Sequence, residues 1–252
     1  GDLDEVLARG LTWTFDTLPQ NRELIAWMRD ANRGRSASEK LLFYGFDLPG
    51  SPGNLTCARF FDRPLLDLLA YLQAAAPALA SEFVPRLSPM IGAPDAPYDA
   101  NRYLGLLLKR DRDACTRALV DLRRALEREA QALQAASGFS PYQWMLRVAD
   151  NALALDRWLL STPPSVLESA PRKLQSEGEM HWHRRVTWSA ADTDAMTDAV
   201  NIRDATQAES VAWIADVAAP GRKILLFAAP AHMSAAPVRW SGMAHDTWFH
   251  PA

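Results

Sequence analysis

Cysteine is nearly missing from this 252-residue chain, which has two in all. Cys57 and Cys115 stand far apart and make no metal-type spacing, so a thiolate metal centre is not expected. A disulfide between them stays open, and a buried free thiol is the plainer reading. Long apolar runs are also missing. A membrane-spanning helix needs about 18 consecutive apolar residues, and no such run occurs, so no membrane partner is expected. An excess of positive charge is missing too. The net charge is −3 and the pI is near 6.0, and arginines alternate with acids along the helical stretches, which argues against nucleic acid. The start, Gly1-Asp2-Leu3-Asp4-Glu5, is acidic where a secretory leader would be cationic. It also lacks methionine, so this says little about compartment; a soluble protein is expected, with the cytoplasm slightly favoured. No G-x-S-x-G elbow, P-loop or G-x-G-x-x-G occurs, which leaves a serine hydrolase or a nucleotide-binding fold without support.

What is present is an ordinary globular composition, 48% apolar and 23% charged, long enough to bury a large core. Residues 3–16 predict one short helix. Residues 21–33 predict a better one, with Asn21 as N-cap, Glu23 in the first turn, Leu24, Ile25, Trp27 and Met28 as an apolar face, and Gly34 just past the end. The run KLLFYGFD reads as a buried strand ending at Asp47, followed by a loop dense in proline and glycine. Leucines at 65, 66, 68, 69 and 72 predict a helix over 62–76. Residues 86–98 read as a linker. A helix over 99–136 carries Cys115, Leu119, Leu122, Leu126 and Leu133 on one face and ends at Gly138. Another over 141–161 should pack antiparallel to it. Residues 162–198 look irregular, and Asp204 then caps a helix over 204–218. Ile224 to Phe227 form a continuous apolar run, the signature of a buried parallel strand, and Pro230 stops it just before His232.

Several polar residues fall where an element end would aim them into a common cleft. Asp47 ends the first strand, Arg203 and Asp204 open the last helix, and His232 follows the second strand, at the edge where open α/β sheets bind ligands. Each has a plainer reading as a turn residue, a helix cap or a surface group. His181 and His183 share a spacing that suits metal ligation on a strand, but no third ligand completes the set, so no metal is expected.

Four blocks carry a resemblance. NRELIAWMRDANR followed by KLLFYGFD resembles the erythromycin esterase family, in which an acidic residue precedes W-x-R-x-x-N and a Y-G-x-D strand. NIRDATQAESVAWI resembles its R-D-x-x-M-A helix, with Gln207 in place of Met. KILLFAAPAHM resembles its strand leading into H-N-x-H. Order and approximate spacing agree from about residue 15 to residue 233. The resemblance implies hydrolysis of an ester, such as the macrolactone of a macrolide antibiotic, by histidine-activated water. It implies His232, Arg203 and Asp47 as catalytic residues, Glu23, Arg29 and Asp204 as substrate-binding residues, and no cofactor. Ala229 and Pro230 stand where the family has the first histidine and the asparagine of H-N-x-H, which puts hydrolysis in doubt. The family's opening blocks, a G-E-x-x-H type motif and a later strand ending in Glu, would precede Gly1. The chain is therefore expected to be either a fragment or a diverged relative.

The fold expected from all this is α/β: a single domain over 1–252, mostly helical, with a small, largely parallel sheet and a helical insertion over about 62–161. The expected partner is a small-molecule substrate or ligand. The alternatives are a non-catalytic binding protein that keeps the cleft, or a helical protein-interaction module. Oligomeric state is left open.

Overall fold

Helices dominate because the leucine and alanine spacing of the middle of the chain allows little else. The computed structural model describes residues 2–11, 15–48, 62–91, 109–162, 189–228, 238–240 and 247–249. In chain order these form α1 (Leu3–Gly10), α2 (Pro19–Ala31), α3 (Asp62–Ala75), α4 (Pro77–Leu87), α5 (Lys109–Arg128), α6 (Ala130–Ser137), α7 (Phe139–Ser161), α8 (Ala190–Trp213) and the short strands β1 (Val238–Trp240) and β2 (Thr247–Phe249). No described helix is long and apolar enough to cross a membrane.

The core lies among α3, α4, α5 and α7. Leu68 and Leu72 of α3, Phe83 and Leu87 of α4, Leu119, Leu122 and Leu126 of α5 and Leu155 and Trp158 of α7 are all buried together. Each such side chain contributes about 1.5–3 kcal/mol by leaving water. Polar contacts pin the register. The Tyr142 hydroxyl donates to the Leu126 carbonyl at 3.2 Å, and Thr116 Oγ1 donates to the buried Asp156 carboxylate at 2.7 Å. Gly138 takes φ 91° between α6 and α7, a conformation that side chains with a Cβ rarely adopt, and so lets the chain turn from one helix into the next through one residue.

α8 packs along α7 and starts earlier than the sequence predicts. Residues 190–198, expected to be irregular, are its first turns. A capping box starts it: Ser189 Oγ accepts from the Asp192 amide while the Asp192 carboxylate accepts from the Ser189 amide. Arg203 and Asp204 therefore lie in mid-helix, not at a helix start. Similarly, residues 77–87, left without an element in the sequence reading, form α4, which takes in the first part of the expected linker. α2 runs two residues ahead of its predicted span, with Pro19 in its first turn. The Asn21 side chain does not cap it but donates to the Phe15 carbonyl at 2.9 Å. No residue of α2 is buried.

The expected α/β class with a parallel sheet is contradicted. Residues 41–46 and 223–228, expected to be buried strands, have no regular secondary structure, and neither joins a ladder among the described residues. The described pairing is antiparallel, between β1 and β2, with Arg239 opposite Trp248. An apolar run records what environment a backbone suits. It does not supply the second strand that turns an extended segment into a sheet. Leu225 and Phe227 are 97% and 83% exposed, so the run is not the buried strand its composition suggested.

Candidate functional site

Segment 40–48 has no strand partner among the described residues. Asn32, just past the end of α2, uses its side-chain amide as one rung of a ladder. Its Nδ2 donates to the Leu41 carbonyl at 2.9 Å, and its Oδ1 accepts from the Leu41 amide at 2.7 Å. Arg222 Nη2 donates to the Lys40 carbonyl. Four residues beyond Phe43, Asp47 reaches α8, and Leu48 enters the core at 1% exposure.

At Asp47 the segment meets one face of α8. Arg203 grips the carboxylate with two donors, Nε to Oδ1 at 2.7 Å and Nη2 to Oδ2. Gln207 lies one turn along the same face and donates from Nε2 to Oδ1 at 2.7 Å. The side chains of Arg203 and Asp47 are 14% and 27% exposed, and Gln207 is buried. Two parallel bonds from a planar guanidinium fix its orientation as well as its distance. Three donors on one carboxylate fix Asp47 in place. The arrangement suits an orienting group, with Arg203 as a fixed cation.

The same wall continues along α8. Ser210 Oγ accepts from Arg147 Nη2 of α7 at 2.7 Å, the Thr206 carbonyl accepts from the same nitrogen at 3.2 Å, and Glu209 lies 3.6 Å from Arg147 Nη1. Beyond them three rings gather. Trp144 of α7 packs against Trp213 of α8, centroids 5.5 Å apart, and against Tyr44 of segment 40–48 at 6.2 Å.

Of the residues singled out from the sequence, the structure joins Asp47 and Arg203, which are 156 positions apart. Asp204 is adjacent in sequence but 3% exposed, on the packed side of α8. Glu23 and Arg29 are exposed on α2, and Arg29 Nε lies 3.4 Å from Asp30. His232, Ala229, Pro230, His181, His183 and Cys57 lie outside the described residues. Gln207, Asn32 and Arg147 were not singled out for the site. Gln207 could have been found by asking what stands one turn after Arg203. Among the described residues no group of three or more His, Cys, Asp or Glu is placed to hold a metal. Cys115 is buried in α5, and desolvation, with smaller contributions from Asp156 and Asp111, pushes its thiol up to about 11. That is the environment of a structural thiol, not a nucleophile.

The family described as Erythromycin esterase matches this chain over residues 1–249. No curated protein and no solved structure matches it.

Proposed function

The chain belongs to the erythromycin esterase family, and we propose that it binds an ester in a bulky apolar substrate, such as a macrolactone, and hydrolyses it with water activated by His232. The observation that carries this reading is the clasp of Asp47 on Arg203, with Gln207 as third partner. Both charged residues stand in the blocks that resemble the family, and the fold brings them together from opposite ends of the chain.

In this reading His232 removes a proton from water as the oxygen attacks the acyl carbon. The acyl C–O bond then breaks, and the proton returns to the departing alkoxide, leaving an acid and an alcohol. Arg203, held by Asp47, supplies a donor of fixed orientation to the oxygen on which charge develops. Its formal charge is balanced by Asp47, so the benefit comes from a donor already in position more than from net field. Glu23 and Arg29 are assigned to substrate contact at the rim. Asp204 supports the helix wall from its buried side. A second reading, a binding protein without turnover, is favoured by Ala229 and Pro230, since neither side chain can take or give a proton.

Incubation with a macrolide separates the two. Hydrolysis appears as the mass gain of one water, and His232→Ala should slow it by about 10²-fold or more. Turnover that survives His232→Ala overturns the assignment of the base. A rise in melting temperature without turnover supports the binding reading.

A further inference from the structure

We propose that Tyr44, Trp144 and Trp213 form an apolar subsite that receives a flat or ring-shaped, uncharged part of the ligand, beside the polar clasp of Asp47, Arg203 and Gln207. This rests on the reading of that clasp as the ester site. Three independent elements each bring one ring to the same place: segment 40–48, α7 and α8. Trp144, which touches both other rings, is 44% exposed. A tryptophan packed against two neighbours and still that exposed leaves ordered aromatic surface open to a ligand. Such faces stack on apolar rings at little entropic cost, because the side chain is already ordered.

Continuity with the clasp follows from spacing. Arg203, Gln207, Ser210 and Trp213 recur at intervals of three and four residues along α8, so they share one face. Segment 40–48 follows that face in the opposite direction. Asp47 meets Arg203 and Gln207, and Tyr44, three residues earlier, meets the tryptophan pair. The ten residues of helix from Arg203 to Trp213 rise about 15 Å. A ligand with its ester at Arg203 and a ring over Trp144 therefore needs a body of about that length. The wall between is lined by Ser210 and by Arg147, whose charge is met by Glu209. Among the described residues both arginines of this face are paired to acids, Arg203 to Asp47 and Arg147 to Glu209, which suits an uncharged ligand.

The test uses two probes on the full chain: 8-(2-naphthyloxy)octyl butyrate, an ester joined to an aromatic ring by a chain long enough to reach both places, and the corresponding butyl ether, which has no ester to cleave. Binding is read from tryptophan emission and hydrolysis from released butyrate. Trp144→Ala should raise the Kd of both probes by about tenfold, equivalent to about 1.4 kcal/mol. Trp144→Phe should recover most of that loss. Arg203→Lys should leave the ether's Kd within about twofold while reducing hydrolysis of the ester. Ether binding that depends on Trp144, without hydrolysis of the ester, supports the subsite and counts against the esterase reading. Ether binding unchanged in folded Trp144→Ala, or no binding of the ether to the unaltered chain, overturns the subsite. Circular dichroism separates loss of binding from loss of fold. Should Trp144→Ala not fold, Tyr44→Ala decides by the same criterion.

Discussion

Replacing Asp47 by alanine should destabilise the fold by taking an acceptor from both Arg203 and Gln207. Arg203 loses two donors' worth of acceptor, and Gln207 loses its own. Two unit charges about 4 Å apart attract by about 4 kcal/mol at the effective dielectric of a protein surface, and desolvation of both groups offsets part of that. Breaking a fully buried pair costs about 3–5 kcal/mol, whereas an exposed pair is worth about 0–1. With side chains 14% and 27% exposed, this pair falls between those limits. The expected loss for Asp47→Ala is about 2–3 kcal/mol. At about 2–4 °C per kcal/mol for a chain of this size, the melting temperature falls by about 4–12 °C. The sharper measurement is a double-mutant cycle with Arg203→Ala, followed by urea unfolding. Removing both partners should cost less than the sum of the single losses, by at least about 1 kcal/mol, because their shared contact is then lost only once. Additivity within about 0.5 kcal/mol, with unchanged m-values, would show that the clasp contributes nothing specific and refute the reasoning.

Asn32→Ala should free segment 40–48 from α2, and hydrogen exchange at the Leu41 amide should rise by at least about tenfold while the α5 amides are unchanged, since the Asn32 side chain bonds both backbone groups of Leu41. Gly138→Ala should cost about 1–2 kcal/mol in a denaturant titration, because φ 91° strains any residue with a Cβ although the nearest atom, Pro141 Cδ, is 3.8 Å away. The Cys115 thiol lies up to about 11 in the fold against an ordinary 9.0. The folded state therefore holds its proton longer than the unfolded state does. The stability this contributes is complete below about pH 9 and is lost as pH rises through 11. The Cys115→Ser variant should lose that part of the alkaline decline, and Ellman's reagent at pH 8 should label Cys115 only after unfolding.

Residues with a local cause were legible in the chain. The spacing of Leu119, Leu122 and Leu126 makes one apolar face, and α5 carries it into the core. Gly138 marks the break between two helices because few other residues accept its backbone angles. The capping box at Ser189 and Asp192 was equally readable, and overlooking it put the start of α8 in the wrong place. The family blocks identified Asp47 and Arg203 from residue order alone. Their adjacency was not visible there, since a motif orders residues along the chain but does not bring them into contact.

The sequence by itself determined the helical faces and the glycine at the α6–α7 junction. These follow from side-chain periodicity and backbone sterics, which act over a few residues. Only the tertiary structure decided that the two apolar runs at 41–46 and 223–228 do not pair into a parallel sheet among the described residues, that Asn32 bonds both backbone groups of Leu41, and that Gln207 completes the grip on Asp47. It also decided that Tyr44, Trp144 and Trp213 share one place on the surface. Each of these depends on which distant segment arrives opposite, and that is set by how the helices pack, through contacts between residues up to 160 positions apart.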